Sequence, residues 1–331
     1  MASHALEWGR RERRIGSVVR LVASAIVALA LPGFAAHAQR AAAERSDSAP
    51  RSGTGEETII VSGASGHLGE LTVEALLDRG VPASRLILVS RTPEKLAKYA
   101  QMGASTRFGD FTKPESLPAA YAGGTRMLLI SVGGTKTEPA PVLIGRAIDA
   151  AKADGVKHIV YTSYIGISRG DHSDLIASNH QAAEDLLKRS GVAWTMLRNS
   201  IYMDGLVAQA AKMIADGRAV APPNESPIGY VTREDCALAA AAALATPGHE
   251  NKAYDITGPQ LLGVREIAAA ASAVTGKPIE VVQGGADAKP GFGRPAMAFT
   301  SMDFERLTGR APTSVRALFD AEKSALVGAP H

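Results

Sequence analysis

Cysteine is all but absent from this 331-residue chain, in which Cys236 stands alone. A lone thiol excludes an intramolecular disulfide and any cysteine-built metal cluster. Cys236 lies in an alanine-rich helical stretch, where it reads as a small buried apolar side chain. Aromatic residues are scarce, at 5 %, while alanine and glycine abound. Small side chains let helices lie close on a sheet, so the composition favours an α/β architecture over a β-sandwich. Net charge is also nearly missing. The formal value is +3, and the five arginines of residues 1–38 exceed their two glutamates by that same amount. The remainder is neutral, which gives no support to a nucleic-acid partner. Nor does any apolar run have the length of a permanent membrane span.

What the leader does contain has an order. Basic residues from Arg10 to Arg20 precede the apolar run 21–31, Pro32 and Gly33 break it, and Ala36-His37-Ala38 has the small-x-small form of a cleavage site. This is the layout of a bacterial secretory signal peptide. It predicts a periplasmic or secreted protein after cleavage near Ala38, and a cytoplasmic one if the leader is not used. Arg13-Arg14 lacks the apolar pair that a twin-arginine signal would place after it. Residues 39–56, rich in Ala, Ser, Arg and Gly, read as a flexible linker. The folded part is then 57–330.

From residue 57 onward short apolar runs alternate with helical periods, the pattern of βαβ units and a doubly wound, Rossmann-type parallel sheet. Strands are expected at 58–62, 85–90, 105–109, 126–132, 158–162 and 193–198. Helices are expected at 67–79, 93–102, 114–121, 139–154 and 177–189. Beyond Asn199 the alternation loosens. Helices at 205–215, 233–244, 264–275, 302–307 and 314–323, with short extended pieces at 228–231 and 253–256, suggest a small substrate lobe from about residue 200.

Gly63-Ala64-Ser65-Gly66-His67-Leu68-Gly69 follows the first strand and opens a helix. The first glycine permits the tight turn, the second lets backbone approach a pyrophosphate, and the third lets helix pack on strand. The helix N-terminus adds free N–H groups and a positive dipole end. In this setting the motif predicts a dinucleotide site. An NAD site places an acid at the end of the second strand, to bond the ribose 2′-hydroxyl. Here Val89-Ser90-Arg91-Thr92 has none, and Arg91 with Lys95 suits a 2′-phosphate. NADPH is the expected cofactor. Asp110 and Phe111, ending the third strand, are placed to flank the adenine. Ser131, Val132 and the two glycines that follow end the fourth, where a loop can pass close to the cofactor.

These segments, together with the run Val156-Lys157-His158-Ile159-Val160-Tyr161-Thr162-Ser163, His180 and Leu197-Arg198-Asn199, resemble the NmrA-like branch of the atypical short-chain dehydrogenases, above all its NADPH:quinone oxidoreductase type 2 members. The resemblance covers about residues 57–285. It implies that Ser131, Tyr161, Thr162, Ser163 and Asn199 surround the nicotinamide, and that His180 stands where ordinary relatives have a catalytic lysine. Asn199, Ser131 and His180 then become the residues that orient an acceptor. The family lacks the proton-donating tyrosine, and this chain contains no Tyr-x-x-x-Lys anywhere. In that pair the lysine lowers the tyrosine pKa so that the phenol can act as an acid. Ordinary carbonyl reduction and sugar-nucleotide epimerisation are thereby disfavoured. A quinone-like small molecule is the expected acceptor, and a homodimer is compatible with it. The missing pair equally suits a non-catalytic NADP(H)-sensing regulator that acts through a protein partner. The chain departs from the quinone reductases at 283–298, where they carry a longer helical insert that shapes the substrate pocket.

Overall fold

The computed structural model describes residues 57–171, 175–285 and 293–327. The signal peptide and linker expected at 1–56 lie outside the described residues. Strands are β1 (Ile59–Ser62), β2 (Leu86–Ser90), β3 (Ser105–Phe108), β4 (Arg126–Leu129), β5 (His158–Tyr164), β6 (Ala193–Asn199), β7 (Arg218–Ala221), β8 (Lys252–Ile256) and β9 (Glu280–Gln283). The helices are α1 (His67–Asp78), α2 (Ala97–Gln101), α3 (Leu117–Tyr121), α4 (Ala140–Ala153), α5 (Leu175–Arg189) and α6 (Leu206–Asp216). They continue as α7 (Arg233–Ala245), α8 (Val264–Thr275), α9 (Asp303–Thr308), α10 (Val315–Ala321) and α11 (Lys323–Val327).

Seven strands form one parallel sheet in the order β3-β2-β1-β4-β5-β6-β8. The chain winds outward from β1 to β3, then returns to β4 on the other side. That reversal between β1 and β4 is the switch point where such sheets leave a crevice at their carboxyl ends. Because successive strand residues face opposite ways, Val61, Leu88, Leu128, Val160 and Leu197 pack on α1 and α7. Their neighbours Ile60, Ile87, Met127, Ile159 and Met196 pack on α3, α4 and α5. Burial on both faces is why β1, β2 and β4 read as apolar runs.

Helix α7 shows what its alanines are for. Ala239 to Ala243 are fully buried, and the helix lies tight on the same cluster as α1. Thr232 caps it, its hydroxyl accepting from the Asp235 amide at 3.0 Å, and Cys236 is buried within it. The structure differs from the expected lobe at this point. Residues 233–256 return to the main layers, α7 beneath α1 and β8 as the seventh strand. The lobe's core is instead drawn from α6, α8, α10 and α11, with Met213, Ile267, Phe319 and Leu326 buried together. It carries a two-stranded parallel sheet, β7 with β9, that four-residue segments did not announce. No helix among the described residues is long and apolar enough to cross a membrane.

At the amino edge of the sheet, buried Arg126 donates to the Leu244 carbonyl at 2.9 Å and pairs with Glu57 at 3.2 Å and Glu250 at 3.4 Å. It also lies 3.1 Å from His158 Nδ1. Thr195 gives its hydroxyl proton to the His249 carbonyl at 2.6 Å. His158 Nε2, 2.8 Å from that hydroxyl, must therefore be the protonated ring nitrogen. Burial first, and Arg126 next, push the imidazole down to about 4. The unfolded chain, with a histidine near its ordinary value, thus binds more protons between these two values. Its stabilising share is full above about pH 6.5 and is lost as pH falls towards 4. Chemical denaturation at pH 7 and pH 5 is expected to show a loss of about 2 kcal/mol from this residue, and His158→Gln should remove that part of the slope. An unchanged slope in the variant would refute the assignment.

Candidate functional site

The turn after β1 is held by β2, whose Val89 carbonyl accepts from both Gly63 N and Ala64 N at 3.0 Å. Gly63 has φ +93°, a conformation that side chains other than glycine rarely adopt. A Cβ at Gly69 would lie 2.2 Å from the Gly63 carbonyl oxygen, so this glycine alone allows α1 to start so close to the strand. Gly66 caps α1 without any side-chain hydrogen bond, which leaves its first N–H groups without a capping partner. Together these make the cradle an anionic pyrophosphate fits.

A cleft of about 840 Å³ opens on this cradle. Of the residues expected to bind cofactor, Gly63, Ser65, Gly66, Arg91, Lys95, Asp110, Phe111 and Val132 line it. Ser90 is tied down, 2.5 Å from Ser65 Oγ and accepting from the Thr92 amide at 2.9 Å. Arg91 and Lys95 are exposed at the end of β2. Burial raises the Asp110 carboxyl, but hydrogen bonds from Thr112, amide at 2.9 Å and hydroxyl at 2.8 Å, hold it below its ordinary range, with Arg91 adding to them. It is therefore ionised at neutral pH. Gly109 lets β3 end against Val89, where a Cβ would come within 2.5 Å of the valine side chain.

The remaining residues of the expected loop serve it from outside the cleft. His67 is exposed on the first turn of α1, Leu68 is buried in the core, and Gly69 makes the close contact described above. Sequence reasoning missed Thr112, Thr135 and Leu143 as lining residues. Leu143 belongs to the opening of α4, which Pro139 and Pro141 already marked as a helix start.

The residues expected around the nicotinamide gather at the carboxyl ends of β4, β5 and β6, outside the glycine-loop cleft. The Ser131 amide donates to Thr162 Oγ1 at 2.8 Å, and that hydroxyl donates to Ser131 Oγ at 3.2 Å. Tyr161 is packed into the α4–α5 face, with its phenol 3.1 Å from His180 Nδ1. Burial keeps that phenol protonated well above neutral pH. Burial also lowers His180 to about 4, against a small opposing effect of Glu184. The half-buried ring is stacked on Tyr164, with centroids 6.0 Å apart. Ser163 donates to Glu184 Oε1 at 2.7 Å, and Arg198 grips the same carboxylate with both of its arms, at 2.9 and 2.7 Å. Glu184 is wholly enclosed, and this pairing outweighs the cost of its burial, so it stays ionised. Ser163 is thereby engaged in holding α5 to the sheet. Asn199 is 5 % exposed and its carbonyl oxygen has no hydrogen-bond partner, nor has the neighbouring Ser200 hydroxyl. A buried acceptor left unpaired costs about 1–3 kcal/mol, which suits a residue whose partner arrives with a ligand.

Known proteins are similar to this chain over most of its described part. Residues 63–247 match the family model described as NAD(P)H-binding. The chain is 34 % identical over 225 residues to quinone oxidoreductase 2 of Escherichia coli strain K12, spanning 67 % of this chain and 76 % of that protein. It is 33 % identical over 228 residues to the NAD(P)H azoreductase of Xenophilus azovorans, spanning 68 % and 76 %. Among solved structures, triphenylmethane reductase from Citrobacter sp. complexed with NADP(H) matches with a TM-score of 0.69. It is 30 % identical, over 78 % of this chain and 97 % of that one.

Proposed function

Because the chain belongs to the NAD(P)H-binding, NmrA-like family, we propose that it is an NADPH-dependent oxidoreductase whose acceptors are quinones or similarly electron-poor small molecules. The observation that carries this reading is the carboxyl edge of the sheet, where neither Tyr161, Tyr202 nor His180 is poised to give up a proton. Tyr161 and Tyr202 have pKa values raised by burial, and His180 is already neutral at pH 7. An acceptor that needs no acid from these three groups fits such an edge. Hydride addition to a quinone leaves a phenolate stabilised by its ring, which water can protonate.

The chain's own groups have separable tasks. The loop from Gly63 to Gly66 and the start of α1 hold the pyrophosphate, and the acid-free end of β2 with Arg91 and Lys95 favours a 2′-phosphate. Ser131 and Thr162, bonded to each other, fix the loop after β4. Asn199 offers an unpaired acceptor, and His180 a neutral ring whose Nδ1 is occupied by Tyr161. Bound NADPH would supply the hydride. The relatives named for quinone and azo reduction support this acceptor class.

Steady oxidation of NADPH by a panel of quinones is expected, with kcat/KM for NADPH exceeding that for NADH by about tenfold or more. Tight NADPH binding with no oxidation by any acceptor would reject the reductase reading.

A further inference from the structure

A second cavity, of about 610 Å³, lies beyond the carboxyl end of β5 and is lined by Arg169, Asp171, Arg294, Pro295 and Phe299 among others. Its walls are the short turn Ile165–Arg169 that follows β5 and the segment around Pro295–Met297. Arg294 joins the two. Its Nε lies 2.8 Å from Asp171 Oδ2, its Nη2 donates to the Tyr164 hydroxyl at 2.6 Å, and that hydroxyl donates to Met297 Sδ at 3.0 Å. Among the described residues, Asp171 is the carboxylate paired with Arg294.

Arg169 is placed differently. It is exposed, its guanidinium stands 4.4 Å from the centre of the Phe299 ring, and it makes no ion pair among the described residues. Asp255 feels it only through space, its carboxylate being bonded to Ser168. Among the described residues that line it, the cavity presents two guanidiniums and one carboxylate, beside an aromatic face and the apolar Pro295, Ala296 and Ala298. A flat guanidinium on a ring is held in one orientation, with its outward N–H groups ready for a planar or tetrahedral oxyanion. Tyr164, which closes this cavity through Arg294, also stacks on His180 and pairs in register with Asn199. The cavity thus adjoins the end of the sheet assigned to the acceptor.

We propose that this cavity is an acceptor subsite for an acidic substituent, so that the favoured acceptors are electron-poor aromatic molecules bearing a carboxylate or sulfonate held by Arg169. The proposal rests on the reductase reading and deepens it.

Naphthoquinone and naphthoquinone sulfonate form a matched pair for the test. The ratio of their kcat/KM values, sulfonate over neutral, is expected to fall about tenfold in Arg169→Gln, the size of one charge-assisted hydrogen bond. The change should sit in KM, Arg169→Lys should keep part of the ratio, and added salt should lower it in the unaltered protein. Calorimetric binding of naphthalene sulfonate, which accepts no hydride, probes the subsite without turnover. Its affinity should fall by a similar factor in Arg169→Gln. Loss of that affinity in a protein that reduces no quinone would keep the subsite and reject the reductase reading. Quinone reduction with the same ratio, and the same naphthalene sulfonate affinity, in both proteins would overturn the subsite.

Discussion

Alanine at position 69 is expected to weaken NADPH binding by at least about tenfold and to lower stability by about 1–3 kcal/mol. The added Cβ would lie 2.2 Å from the Gly63 carbonyl oxygen and 2.8 Å from the Ala64 Cα. Both are backbone atoms of the same turn, so no side chain can swing aside. The helix must lift instead, carrying away the N–H groups that α1 offers to a pyrophosphate. Gly133→Ala is the matched control. Gly133 lines the same cleft, yet a Cβ there meets nothing within 4 Å, so stability should change by less than about 0.5 kcal/mol. Thermal melts and a fluorescence titration with NADPH would measure both. A Gly69→Ala protein that melts and binds like the unaltered chain would show that the close approach of helix to loop is not needed.

Arg91→Ala is expected to raise the NADPH dissociation constant by about 10- to 100-fold, while that for NADH changes by less than about threefold. The difference follows from losing a guanidinium that can make two charge-assisted hydrogen bonds to a phosphate and has no counterpart on a bare ribose hydroxyl. Arg91 is exposed on the cleft, so its share should weaken with salt. Asp110 sharpens the expectation. Its carboxylate is held ionised by Thr112 and faces Arg91 electrostatically, so removing the arginine leaves a negative charge near the place a 2′-phosphate would occupy. An unchanged ratio of NADPH to NADH affinity in Arg91→Ala would remove Arg91 as the physical basis for an NADPH preference.

The reach of the sequence can be judged from particular elements. Helix α8 was legible end to end, because its apolar period is bounded by Gly263 and by Gly276, which takes a left-handed conformation. Strands β1, β2 and β4 were legible because burial on both faces leaves apolar runs, whereas the edge strand β3 is polar and only half-buried. The ends of all six strands from β1 to β6 shifted by only a few residues. The stretch expected as one helix at 93–102 is instead a tight turn, Pro93–Leu96, followed by α2, since Pro93 opens it in the narrower geometry.

Three features needed distant segments to meet. Residues 233–256 carry a local pattern that serves equally well for a lobe or a main layer. Only the fit of alanines against α1 and the register of β8 on β6 place them in the sheet. The pairing of β7 with β9 joins strands some sixty residues apart, each too short to signal itself. The cavity around Arg169 draws its walls from two segments far apart in the chain, around residues 169–171 and 294–299, and nothing in either names the other.

The glycine loop is therefore what the sequence by itself determined. Its turn, its helix start and its close contact all lie within seven consecutive residues, and backbone sterics alone dictate glycine at the first and third motif positions. The chemical state of the groups at the carboxyl end of β5 and on α5 was decided by tertiary structure. Burial makes His180 neutral and turns Tyr161 into its partner rather than an acid. Desolvation depends on everything packed around a group, and that is not written in its neighbours along the chain.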